Sequence, residues 1–127
     1  MAVILASSCL LGCECRYKGD GCKCDALIKL AESNTIGEHT LIGVCPEQMG
    51  GLPTPRDLAE RQDDKVISCA GKDVTKAYTK GAETALYFAK LNHVDFAVMK
   101  AKSPSCGKGL IYDGTFTGNK IPGNGVT

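Results

Sequence analysis

The chain has 127 residues, 15 lysines and arginines against 14 aspartates and glutamates, a net charge of +1 and 43% hydrophobic residues. That length is one domain's worth, enough to bury a core without staples, and the balanced charge gives no field of the kind that holds duplex nucleic acid. No apolar run is long enough to span a bilayer and AVILA is too short for a secretory leader, so no membrane partner and a cytoplasmic setting are expected.

Ala2 to Ser8 is a continuous apolar run, the pattern of a strand buried on both faces. A glycine- and cysteine-rich loop follows, after which Asp25 can cap a helix over Ala26 to Glu32. Thr40 to Val44 reads as a second buried strand. The breakers in CPEQMGGLPTPR, Cys45 to Arg56, predict an irregular loop. Lys65 to Cys69 reads as a short strand, and Asp73 with Lys76 to Leu91 as the clearest helix. Ala77, Tyr78, Ala82, Ala85, Leu86 and Ala89 are its apolar face. Val94 to Met99 is a third buried strand, and the glycine-rich tail is read as turns.

Strands alternating with helices imply α/β architecture: a single Rossmann-like domain over residues 1–127, with a mostly parallel sheet flanked by helices. Because such a sheet is normally covered by a final helix, a further segment after Thr127 is expected.

In parallel sheets ligands bind beyond the carboxyl ends of the strands. Cys9 and Cys45 follow the first two buried strands directly, and Cys106 lies in the turn-rich segment AKSPSC after the third. If the strands are neighbours, three thiols converge at one edge. Structural zinc and iron–sulfur sites use four protein ligands, so three suggest a metal site with an open position. Lys100, Lys102 and Lys108 flank Cys106 and are expected to favour its thiolate, or else are ordinary solvated lysines.

Eight cysteines without an export signal point to metal binding or chemistry rather than a disulfide framework. Cys13-x-Cys15 and Cys22-x-Cys24 are spaced too tightly for the usual zinc pairs, and Cys69 reads as a small buried hydrophobe. His39 and His93 read as exposed rather than ligating. The phosphate-cradling, dinucleotide-binding and serine-elbow motifs are all missing. Glu47, two residues after Cys45, is a candidate general base, or a partner for Arg56. Ser103 and Ser105 either fix a turn or donate to a substrate.

The motifs SSCLLG, CRYKG, VCPEQMGGLPTPR, GKDVTKAYTKGAE, KAKSPSCGKGLIYDGTF and PGNGVT, in that order, resemble those of the TudS-type thiouracil desulfidase family. The resemblance covers nearly the whole chain. It implies a [4Fe-4S] cluster held by Cys9, Cys45 and Cys106, with the fourth iron open to the substrate's sulfur. Glu47 and Ser103 fall on the family's catalytic glutamate and serine. The implied reaction is non-redox desulfuration of a small thiolated pyrimidine to the oxo-pyrimidine and hydrosulfide, with cluster-assembly proteins as partners. Cys13, Cys22 and Cys24 are additional thiols beside that pattern. Two competing readings stay open: an iron–sulfur or zinc module that binds or senses without turnover, and a cysteine persulfide carrier.

Overall fold

The computed structural model describes residues 2–32 and 39–127. Its centre is a parallel sheet of three strands in the order β2-β1-β5, comprising β1 (Ala2–Ser7), β2 (His39–Val44) and β5 (Phe96–Val98). The three runs expected as buried strands are therefore present and parallel, with β1 in the middle. Ile4, Leu5, Ala6 and Val44 are buried, as expected of strands packed on both faces, but β5 is shorter than the expected third buried strand and is not buried, with Phe96 and Ala97 exposed.

Ser7 pairs with Val44 in the β1–β2 register, so Cys45 begins one residue past the ladder and Cys9 two residues past it. A short 3-10 helix, Ser8–Leu11, turns the chain at this edge. Helix α1 (Asp25–Glu32) starts with the expected acidic residue. His39 opens β2, and its side chain lies outside the described ones.

Three segments depart from the sequence reading. Within the expected loop, Cys45 caps a one-turn helix, α2 (Pro46–Met49). Proline fits that first helical position because its missing N–H would be unpaired there anyway. Lys65–Ser68 forms β4, but it pairs antiparallel with β3 (Ala59–Gln62) in a separate hairpin rather than extending the parallel sheet. The tail also folds as a hairpin, β6 (Leu110–Tyr112) with β7 (Lys120–Pro122). The unread strands β3, β6 and β7 are three or four residues long, too short for period-two alternation to stand out.

Helix α3 (Thr75–Leu91) is the long helix expected. It buries Tyr78, Gly81 and Ala85, whereas Leu86 is 55% exposed and, with Phe96, borders an apolar groove between α3 and β5. Tyr78 joins Ala59 and Val66 in a core that ties α3 to the β3–β4 hairpin. Among the described residues, no helix is long and apolar enough to cross a membrane.

A thiol-lined cavity as the candidate active site

The carboxyl edge of the sheet opens into a cavity of about 440 Å³. Cys9, Cys45 and Cys106 line it, as do Glu47 and Ser103, so all five candidate residues share one space. Cys9 arrives on the 3-10 helix after β1, Cys45 on the turn from β2 into α2, and Cys106 on the loop after β5. That loop is pinned to the sheet where Lys100 N–H donates to Ser7 Oγ at 2.8 Å.

A fourth thiol, Cys15, faces the same cavity and is 2% exposed. The Cys45 thiol lies 3.8 Å from the Cys15 carbonyl oxygen. Cys15 belongs to CRYKG, one of the motifs that carried the resemblance. The pair spacing hid its position, because Cys13 is exposed while Cys15 turns inward.

Burial pushes the Cys9 thiol up, with Cys22 and Cys45 adding to the rise and Lys100 and Arg16 opposing it. Burial also pushes Cys106 up to about 11, against hydrogen bonds from Ser7 and Ser105. The lysines flanking Cys106 thus do not produce the low thiol pKa expected of them: burial raises Cys106, and Lys100 acts to lower Cys9. Cys15 is raised furthest, chiefly by burial and then by the neighbouring Cys45. A ligand that takes these sulfurs as thiolates must displace their protons.

Four soft sulfur donors suit zinc, copper(I) or iron–sulfur chemistry rather than a hard cation. Among the described residues, no three His, Cys, Asp or Glu side chains converge closely enough to share a single ion. A four-iron cluster is wider than one ion and takes its thiolates from well-separated points. Thiols spread around one cavity fit that group better than they fit zinc.

The acid side of the cavity is built differently. Glu47 sits in the first turn of α2, and a single oxygen, Oε2, takes three contacts. Arg56 donates through Nε at 3.0 Å, its Nη2 lies at 2.9 Å, and the Tyr78 hydroxyl donates at 2.8 Å. The sequence offered pairing with Arg56 or service as a base as alternatives; the ion pair is present, and it leaves Oε1 without a hydrogen-bond partner among the described residues. Arg56, whose side chain is 6% exposed, also donates to the Cys15 carbonyl at 3.0 Å. One guanidinium therefore braces both the carboxylate and the thiol loop.

Ser103 and Ser105 are told apart by their partners. Ser103 Oγ accepts from the N–H groups of Ser105 and Cys106, each at 3.1 Å, and Ser103 lines the cavity with no acceptor for its own proton among the described residues. Ser105 is buried behind the turn, where its hydroxyl meets that of Thr127 at 3.1 Å. His93 is exposed on the turn after α3, and Cys69 is exposed rather than in the core, because it falls on the turn after β4.

The model of the 2-thiouracil desulfurase family matches residues 4–127. An uncharacterized protein of Bacillus subtilis (strain 168), YbbK, is 41% identical over 135 residues, spanning 98% of this chain and 86% of that one. Among solved structures, the [4Fe-4S]-dependent thiouracil desulfidase TudS superposes with a TM-score of 0.90 at 40% identity, covering 100% of this chain and 82% of that chain. A match of this extent, over a cavity with this donor set, assigns membership: the chain belongs to the 2-thiouracil desulfurase family.

Proposed function

We propose that this protein is a [4Fe-4S]-dependent thiouracil desulfidase that hydrolyses the C–S bond of a small thiolated pyrimidine, with water in and the oxo-pyrimidine and hydrosulfide out. The observation that carries the reading is that Cys9, Cys45, Cys106, Glu47 and Ser103 line one cavity, in a chain of this family.

In this reading Cys9, Cys45 and Cys106 hold the cluster, and one iron lacks a protein ligand. The cluster supplies a soft Lewis acid that polarises a thiocarbonyl. The chain supplies the acid–base work. Glu47, anchored through Oε2, offers Oε1 as acceptor for a proton of the attacking water. Ser103, whose oxygen already accepts two backbone N–H groups, has one proton to donate to substrate or water. Tyr17, Tyr112 and Phe116 line the same cavity and offer flat apolar surfaces to a pyrimidine ring. No oxidant or reductant enters the balance.

The test is anaerobic reconstitution followed by an assay for hydrosulfide from 2- and 4-thiouracil. About four irons with labile sulfide per chain are expected, and turnover with them. Glu47→Gln should keep its iron and lose a factor of about 10²–10⁴ in rate. Protein that holds the cluster yet releases hydrosulfide from neither base overturns the proposal.

Cys15 on the same cavity favours one rival, a fully ligated cluster that senses or stabilises without turnover. Cys15→Ser separates the two readings. The desulfidase reading expects wild-type iron content and turnover, whereas four-thiolate ligation expects iron to be lost as it would be from Cys9→Ser, Cys45→Ser or Cys106→Ser.

A further inference from the structure

Tyr78 lies 31 residues from Glu47 on a different helix, and its hydroxyl donates to Glu47 Oε2 at 2.8 Å. Its side chain is 2% exposed and its phenol is pushed up by burial and by the Glu47 charge, so the hydroxyl is held as a donor. A buried phenol needs a partner, and among the described residues Glu47 is the one it has.

The contact is built into the backbone. A Cβ added to Gly81 on α3 would collide with the Pro46 carbonyl, and one added to Gly50 would collide with the Ala77 carbonyl. Helices α2 and α3 therefore touch main chain to main chain on either side of Glu47 and Tyr78. Side chains at those two positions would hold the helices apart.

The hydrogen bonds also have a direction. Arginine commonly meets a carboxylate as a fork, one nitrogen to each oxygen. Here both near nitrogens of Arg56 and the Tyr78 hydroxyl converge on Oε2. The carboxylate is fixed by one oxygen and free at the other.

We infer that Tyr78 is a positioning residue for the desulfuration reaction: its hydroxyl, with Arg56, fixes Glu47 through Oε2 so that Oε1 is the oxygen presented to the attacking water. The inference rests on the base role proposed for Glu47, and goes beyond it by adding a residue that lines the same cavity and acts through Glu47. Tyr78→Phe keeps the ring that packs on Ala59 and Val66 and removes the donor alone.

The expected result for Tyr78→Phe is unchanged iron and sulfide content, KM within about twofold, and kcat lower by about tenfold, the scale of one hydrogen bond to a charged group. In a Glu47→Gln background the same change should cost nothing more, because Tyr78 acts through Glu47. A merely structural tyrosine would instead add its cost in both backgrounds. An independent readout is the Glu47 carboxylate stretch in ¹³C-glutamate-labelled full-length protein, with and without cluster, assigned by its loss in Glu47→Gln. It should shift in Tyr78→Phe.

Wild-type kcat in Tyr78→Phe, full additivity in the double variant, or an unshifted carboxylate band overturns the inference. Full turnover in Glu47→Gln alone removes the base reading itself, and this inference with it. A slow Glu47→Gln beside a normal Tyr78→Phe removes only the inference.

Discussion

The cavity has two walls assembled by different means. Its sulfur wall comes from the segments that leave the strands: Cys45 follows β2 directly, Cys9 follows β1 within a turn, and Cys106 sits on the loop after β5. Strand register brings Cys9 and Cys45 to one edge, and the Lys100–Ser7 hydrogen bond ties the loop of Cys106 to it. Its carboxylate wall comes from side chains meeting across elements, with Glu47 on α2, Arg56 on the loop beyond it and Tyr78 on α3. The first wall survives as long as the sheet does. The second depends on how closely two helices approach, so it should be the easier of the two to break separately.

Gly81→Ala should make the largest such break. The added methyl meets the Pro46 carbonyl, so α3 must withdraw or α2 must shift. Overpacking of this kind costs about 1–3 kcal/mol, and withdrawal of α3 carries the Tyr78 hydroxyl away from Glu47. Thermal melting should show the destabilisation, and turnover should fall at least as far as in Tyr78→Phe. Iron content after reconstitution should hold, since β1, β2 and β5 still place the three thiols. Iron lost in parallel with activity would mean that the walls are not independent.

The same contrast explains what could be read in the sequence. Apolar runs ending in Cys9 and Cys45, and a third leading towards Cys106, are one-dimensional signals, and the parallel sheet follows from them. Glu47 was visible through its nearness to Cys45. Tyr78 was not, because a tyrosine at an apolar helix position carries no mark of where its hydroxyl ends. It was read as helix face, which it is, and its polar end does a second task. Gly50 and Gly81 read as a turn and a blank, because a close backbone approach between distant segments leaves no periodicity. Cys15 escaped for a related reason: a cysteine one residue from another in a loop says nothing about which of them turns inward. β4 is legible as a short strand, but its antiparallel partner β3 and the β6–β7 hairpin are too short to stand out from their turns, and Leu86 falls on the expected buried face because helical spacing gives a face its width but not what covers it.

Ser103 lies on the loop that carries Cys106, and its removal should have an intermediate effect. Its oxygen receives the N–H groups of Ser105 and Cys106, and among the described residues its proton has no acceptor. Ser103→Ala should cost about 1 kcal/mol in stability through the lost acceptor and lower kcat by about tenfold through the lost donor. Ser103→Thr retains both functions and should recover most of the loss. Failure of threonine to rescue, with iron content and melting restored, would leave Ser103 a turn residue and shift the proton-donating work elsewhere.

The smallest effect is expected at the exposed start of α3, outside the lining of the cavity. Asp73 Oδ1 accepts from Thr75 N–H at 2.9 Å and from the Thr75 hydroxyl at 2.6 Å, and Thr75 Oγ1 accepts from Val66 N–H at 2.9 Å, tying the helix start to β4. Those donors from Thr75 hold the Asp73 carboxyl below its ordinary range. A carboxyl depressed in the folded state stabilises it above the unfolded value, about 3.9, and loses that contribution as pH falls through the folded value. Asp73→Asn keeps an acceptor without the charge, so cluster-free protein should melt slightly below wild type at neutral pH, with the two curves converging on acidification below about pH 4. A gap that widens in acid would reverse the assigned sign. Turnover at neutral pH should be unaffected, because the Gly50–Gly81 contact, rather than the cap of α3, sets the reach of Tyr78. A marked loss of turnover in Asp73→Asn would relocate the control of the carboxylate wall to the helix start.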